Sequence, residues 1–423
     1  MDEDTVGTGT ATEEQAASGQ QGAGAETDPG TPGARGHDTG AGDATARRSP
    51  LYDREAALGA SFTDFAGWEM PLQFTSALAE HQAVRTAAGL FDLSHMGELH
   101  VQGRDAVELL GRTFVSDFSA VRIGRAKYTM LCDEGGGIVD DLIVYRLEDA
   151  EFLVVPNAAN AATVAQTLAA TADGLDVGVE DRTLSTALIA LQGPRAEEIL
   201  VNANSAHRAH PAEIEALREL RYYAGIHMDY AGVDTVVART GYTGEDGFEL
   251  FVPWELAGET WDLLMDVGSH DGLVPAGLGA RDSLRLEAGM PLCGHELTRE
   301  TTPFQVGAGR VVSLSKPQDF PGRAALEQAA TSSPEVVLVG LSADGRRAMR
   351  EGCPVLASDS AAEPGRRIGT VTSGLYSPTL GHAIAMALVE ADAAALGTLV
   401  TVDVRGHALT ATVRPLAAYK RPH

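Results

Sequence analysis

Two adjacent aspartates, Asp140 and Asp141, follow a glycine triplet and lead straight into the apolar run Leu142-Ile143-Val144-Tyr145. Successive residues of a strand point to opposite faces, so one of the two carboxylates is driven toward the interior unless the chain turns there. A buried carboxylate is costly unless hydrogen-bond donors, a cation or an amine hold it, and this pair is therefore the first candidate for a site. The competing reading is a turn exit, with one acid in solvent and the other accepting backbone N–H groups. The glycines favour a site, because they let backbone come close to a ligand. The pair alone does not make a metal centre, since no histidine or third acid accompanies it.

A second group spans residues 239–249 and packs three glycines, the Tyr242 phenol and three acids into eleven residues. Read plainly it is a tight acidic hairpin. Read as a binding loop, Glu245 accepts paired hydrogen bonds from an amidine-like heterocycle while Tyr242 packs flat against it. Neither a GxGxxG order nor the lysine of a phosphate loop is present, which disfavours nucleotides. Arg281 and Arg285 are four residues apart on a helical pattern and share a face. Pairing with nearby acids is their simplest role, but in a chain of net charge -27 a convergent arginine is also what a carboxylate-bearing ligand needs. Arg405, after a strand-like run, is a second candidate for that work. His95 reads as a structural hydrogen-bonder. Cys293 and His295 are two apart without a nucleophile elbow, which argues against a hydrolase.

The elements that must position these groups alternate hairpins with helices, giving an α+β class. Helices are expected over residues 77–88, 105–111, 157–170 and 254–267, and strands over 98–101, 128–132, 138–147, 152–155, 187–191 and 250–252, with a hairpin over 222–237. Five short strands between residues 336 and 404 predict a small barrel. Residues 1–49, almost free of large apolar side chains, predict a disordered acidic tail, followed by a region over 50–325 made of two interwoven subdomains and a barrel domain over 326–423. The 59 acidic against 32 basic side chains exclude an intact nucleic-acid duplex or an anionic membrane as partner. Three isolated cysteines argue for a reducing compartment, and the acidic N-terminus lacks an apolar leader, so a cytoplasmic location is expected.

Together the motifs resemble one family, the T-protein (aminomethyltransferase) of the glycine cleavage system. The likeness is carried by DFAGWEMP at 64–71, EHQAVRTAAGLFDLSHMG at 80–97, KYTMLCDEGGGIVDDLIVY at 127–145, TGYTGEDGFE at 240–249 and GLGARDSLRLEAGMPL at 277–292. The resemblance implies a three-domain folate-binding fold with a C-terminal small β-barrel. It implies transfer of the aminomethyl group from the dihydrolipoyl arm of H-protein to tetrahydrofolate, releasing ammonia and leaving 5,10-methylenetetrahydrofolate. It implies Asp140 as the acid at the reacting edge, Tyr128, Asn157, Tyr242 and Glu245 as pterin contacts, and Arg281 and Arg405 as partners of the folate or of the H-protein arm. Strand alternation would put Glu249 on the same face as Glu245, so geometry leaves both open. The implied partners are H-protein and, transiently, the other cleavage-system components. Two readings compete: a tetrahydrofolate-dependent demethylase or folate-binding protein of the same superfamily, and an acidic interaction protein without chemistry.

Overall fold

The strand Thr186–Gln192 is an unbroken apolar run and lies in the middle of a six-stranded sheet, paired with Gly247–Pro253 on one side and Ala88–Asp92 on the other. Such a run is what a strand covered on both faces requires. Ala187, Ile189 and Leu191 pack into one core with the helices Ala196–Ala206 and Ala257–Gly268. Leu188 and Ala190 face a second core shared with Tyr145, Leu147 and Val155 of a five-stranded sheet. The candidate residues gather along this second face.

The computed structural model describes residues 46–206, 210–358 and 365–421. The expected tail, up to residue 45, lies outside the described residues. Arg47–Arg48 already pair in parallel with Trp68 and Glu69, so ordered chain begins before residue 50. Six strands close the C-terminal barrel, one more than expected. His407–Arg414 alternates threonines with small apolar residues and lacks a strong apolar signal, yet it closes the barrel by pairing with both Leu399–Val404 and Val336–Ala343. The expected boundary at 325/326 falls inside the helix Arg323–Ala330, whose buried Leu326 packs with Cys132 and Ile138. The helix expected to 88 stops at Thr86, and Ala88–Asp92 is a strand. Gly89 is a strand residue there, needed because a Cβ would sit 2.5 Å from Val84.

Helix Leu278–Ala288 links the sheets to the barrel. Its Leu286 joins Ile384 and Met386 of the barrel in one core, while Ala280 and Leu284 belong to the core between the sheets. Glu287, with no exposed surface, accepts hydrogen bonds from Arg85 Nη2 (2.9 Å), Thr379 Oγ1 (2.7 Å) and Thr379 N (3.1 Å), and from Ser377. Burial alone would raise this carboxyl, but His81, Ser377 and Thr379 hold it down to about 2. Its contribution to stability is present above the unfolded value near 4.5 and is lost as pH falls toward 2. Glu287→Ala removes the acceptor of Arg85, Ser377 and Thr379, leaving Arg85 only Glu245 as an ionic partner, and is expected to cost about 3–5 kcal/mol, read as a lower urea midpoint at unchanged m-value.

The opposite arrangement holds at Glu55, Asp92 and Glu98, all at most 2% exposed. Both oxygens of Glu55 and of Glu98, and one of Asp92, have no donor. Burial and then the charge of Asp92 push Glu55 up to about 10, so it is a neutral acid at pH 7. Here the sign reverses: stability is fully present below about 4.5 and drains as pH rises toward 10. Glu55→Gln is therefore expected to gain on the parent as pH rises, approaching about 1.4 kcal/mol per pH unit, and parallel stability curves from pH 5 to 9 would refute this.

Candidate active site

A cavity of about 460 Å³ opens on the face between the two sheets, and Tyr128, Asp141, Asn157, Tyr242 and Arg281 all stand in its wall. Four of the seven residues singled out from sequence, Tyr128, Asn157, Tyr242 and Arg281, are thus brought together, with Asp141 beside them. Asp140 lies behind the wall, Glu245 and Arg405 stand elsewhere, and the acids in the wall are Asp141 and Glu249, with Asp282.

Strand alternation decides between the aspartates. Along Ile138–Glu148, Leu142 and Val144 enter the core under the helices Ala106–Thr113 and Ala161–Thr171, and Asp140 shares their parity. Asp141, Ile143 and Tyr145 have the other parity and reach the cavity. Asp140 is fully buried: Oδ1 accepts from Asn157 Nδ2 (2.9 Å) and Asn160 Nδ2 (2.8 Å), and Oδ2 accepts from Asn157 N (3.1 Å). The acid that can touch a ligand is therefore Asp141 and not Asp140. Asp141 Oδ2 accepts from Tyr128 OH at 2.9 Å and Oδ1 from Asn157 Nδ2 at 3.0 Å. One asparagine amide thus spans both carboxylates. Pro156 does not disturb this, since the Asn157 N–H is the group that binds Asp140.

Burial, reinforced by the like charge of Asp141, pushes Asp140 up to about 7 against the pull of Asn157 and Asn160. Burial raises Asp141 to about 6, with Tyr128 and Asn157 opposing. Burial and then the Asp141 charge push the Tyr128 phenol well above its ordinary range, so it stays a donor. Cys293, 152 residues beyond Asp141, completes the group. Its Sγ accepts from Asn160 Nδ2 at 3.3 Å, and burial with both aspartates pushes the thiol up, so it remains protonated. Asp140, Asp141 and Cys293 offer ligand atoms within 4.8 Å of one another, the one such group among the described residues. Their acceptors are already met by neutral donors, an arrangement suited to hydrogen-bonded carboxylates rather than to a cation. The glycine triplet serves the protein and not a ligand: a Cβ on Gly137 would lie 2.1 Å from the Arg299 carbonyl, and Ile138 N donates to Thr298 O and Thr301 O.

At another part of the cavity Glu249, 8% exposed, accepts from Tyr145 OH (3.1 Å) and Thr240 Oγ1. Glu245 is not on the wall. It lies in the turn before the strand Gly247–Pro253, so alternation from Glu249 does not reach it, and its Oε1 is bound by Arg85 Nη1 at 2.8 Å. Gly241 and Gly247 fold this loop onto Gln192, whose side chain occupies the space a Cβ would take at either position. Arg405 forms with Gly406 the two-residue turn between the last barrel strands, at φ 56°, with its side chain exposed and outside the cavity lining. Arg285 stands in the wall but is engaged by Asp282 (2.8 Å) and Glu296 (3.1 Å). Arg281 lies over the Tyr242 ring at 4.8 Å and binds no carboxylate among the described residues.

Sequence reasoning missed Tyr222, Tyr223, Cys293 and His95 as wall residues, and of the two acids it left open the wall takes Glu249. Adjacent tyrosines next to a strand are a visible signal for the first two, and Tyr222, 49% exposed, marks where the cavity meets solvent. His95 is not the structural hydrogen-bonder expected, because neither ring nitrogen has a partner among the described residues.

Residues 51–316 match the family described as GCVT N-terminal domain, and residues 337–420 match the glycine cleavage T-protein C-terminal barrel domain. The chain is 52% identical over 375 residues to an aminomethyltransferase of Saccharopolyspora erythraea, covering 89% of this chain and 98% of the relative. It is 52% identical over 379 residues to an aminomethyltransferase of Streptomyces coelicolor, with the same coverage of 89% and 98%. The crystal structure of glycine cleavage system aminomethyltransferase T from Bartonella henselae is similar with a TM-score of 0.80 at 34% identity, over 89% of this chain and 98% of that one. With both of its regions matched in order and the carboxylate-lined cavity between its sheets, the chain belongs to the glycine cleavage T-protein family of aminomethyltransferases.

Proposed function

We propose that the cavity holds tetrahydrofolate and that Asp141, with Tyr128 and Asn157, carries the chemistry of an aminomethyltransferase. The enzyme is the glycine cleavage system aminomethyltransferase, passing a one-carbon unit to tetrahydrofolate. The finer reading is that the unit arrives as an aminomethyl group on the dihydrolipoyl arm of H-protein and leaves in 5,10-methylenetetrahydrofolate. The observation that carries it is a carboxylate fixed by two neutral donors in the wall of a mostly apolar cavity.

Two N–H protons must leave the folate nitrogens when a methylene bridges them, one ending on ammonia and one on the carrier thiol. Asp141, with a carboxyl near 6, is ionised at neutral pH yet basic enough to take up a proton and return it. While ionised it stabilises positive charge developing on the one-carbon unit, and more strongly than it would in water because the wall excludes solvent. Tyr128 and Asn157 fix its position, so little reorganisation is needed at the moment of reaction. Glu249 and Arg281 offer an acceptor and a donor for the polar edge of the pterin, and Tyr242 an aromatic face beside them. Asp140 acts from behind, by holding Asn157.

The first test is formation of methylenetetrahydrofolate and ammonia, in equal amounts, by the purified protein with tetrahydrofolate and aminomethyl-loaded H-protein. Folate binding without either product would point to another donor, and absence of folate binding would overturn the reading. A second test separates the aspartates. Asp141→Asn is expected to lower kcat by about 100-fold or more with the folate KM nearly unchanged, the mark of an interaction made in the transition state. The parent kcat/KM is expected to fall as pH drops through about 6, where Asp141 takes up its proton. That limb should survive in Asp140→Asn and vanish in Asp141→Asn, and the reverse pattern would return the role to Asp140.

A further inference from the structure

His95 stands in the cavity wall at 3% exposure, beside Leu93, Met96 and Leu278 and edge-on to the Phe65 ring at 5.2 Å. Its Nδ1 is sealed without any partner and out of a ligand's reach, whereas Nε2 is not sealed and makes no hydrogen bond to a described residue, so Nε2 is the ring nitrogen a ligand in the cavity can meet. A polar nitrogen left without a partner destabilises the protein that carries it, and where that nitrogen borders a cavity the molecule entering the cavity can satisfy it. The neighbouring apolar side chains cannot do so.

The charge state narrows what can. Burial, and then the nearby charge of Arg281, push this imidazole down to about 3, so it is neutral throughout the physiological range. A neutral imidazole has one donor and one acceptor and suits a neutral ring N–H or carbonyl rather than a carboxylate. Arg281, which feels the Glu249 charge but makes no hydrogen bond to a carboxylate among the described residues, supplies a cationic donor close by, and Glu249 an ionic acceptor in the same cavity. The three together complement a heterocycle with an amide-like edge.

On the reading of this cavity as a tetrahydrofolate site, we infer that His95 is a binding and specificity residue that hydrogen-bonds the neutral amide edge of the reduced pterin. A ring lacking the matching group leaves the imidazole unsatisfied in the complex as well, so it is rejected by more than the loss of one contact.

The test uses the full chain and tetrahydrofolate, with affinity from calorimetric titration and stability of the unliganded protein from melting. His95→Phe replaces the imidazole by an apolar ring of similar shape. It is expected to weaken folate binding by about 10- to 100-fold while leaving the unliganded melting temperature unchanged or higher. His95→Gln, which keeps a donor and an acceptor, should recover part of the affinity. Imidazole 15N resonances of His95 should move on addition of tetrahydrofolate at pH 7. Parental affinity in His95→Phe, a melting temperature that falls with affinity intact, or unmoved resonances would overturn the assignment and leave His95 a packing residue. If the parent protein itself fails to bind tetrahydrofolate, the reading of the cavity falls, and this inference with it.

Discussion

A buried carboxylate on one helix ties this molecule together. Glu287 sits at the C-terminal end of Leu278–Ala288, where the helix dipole opposes a negative charge, and it is held there by donors from two other parts of the chain. Arg85 comes from the helix Ala77–Thr86, and Ser377 and Thr379 from the turn between two barrel strands. The backbone carbonyl of Glu287 also receives the N–H groups of Ala418 and Tyr419 near the chain end. Arg85 in turn reaches Glu245 and the Thr243 carbonyl, and its guanidinium lies 3.9 Å from the centre of the Tyr419 ring. Arg281 of the same helix, a turn and a half earlier, stands in the cavity wall. The placement of that cation therefore depends on an ionic network that no ligand needs to touch.

The same logic explains how a chain so rich in acid builds a negatively charged site without tearing it apart. Asp140 and Asp141 are neighbours in sequence and cannot be separated, so their repulsion is met by distributing neutral donors. Asn157 and Asn160, both from one short segment, supply four of these, and Tyr128 a fifth. No cation neutralises the pair among the described residues. The result is a carboxylate whose proton affinity is raised but not abolished, which a salt bridge to arginine would have forbidden.

Much of the scaffold was legible because apolar periodicity reports burial directly. Thr186–Gln192, Ile138–Glu148 and the barrel strands up to Val404 follow their patterns. His407–Arg414 did not, since half of its residues face outward as polar groups and the remainder are small. Ala88–Asp92 was hidden by an alanine and glycine boundary that reads as the end of a helix. The site was legible as a set of segments and less so residue by residue. Whether Asp140 or Asp141 faces the cavity depends on parity, and parity is fixed by which sheet face the cavity occupies, a tertiary fact. Glu245 failed for a related reason, because the strand begins two residues after it and period-two reasoning had been carried into a turn.

Arg405 shows the limit of charge arguments. In a chain of net charge -27, any arginine looks like a resource for an anionic ligand, yet this one occupies a two-residue barrel turn with a left-handed backbone. His95 is the converse, a residue whose type promised little and whose surroundings make it informative. Asp92 and Glu98 flank it three residues away on either side in sequence, yet nothing short of the packed wall reveals that both of its nitrogens lack partners. Functional residues of this kind are recognised by what the protein leaves undone around them. A buried group that the fold satisfies is accounted for by folding, whereas one that the fold leaves unsatisfied beside a cavity directs attention to the molecule that enters it.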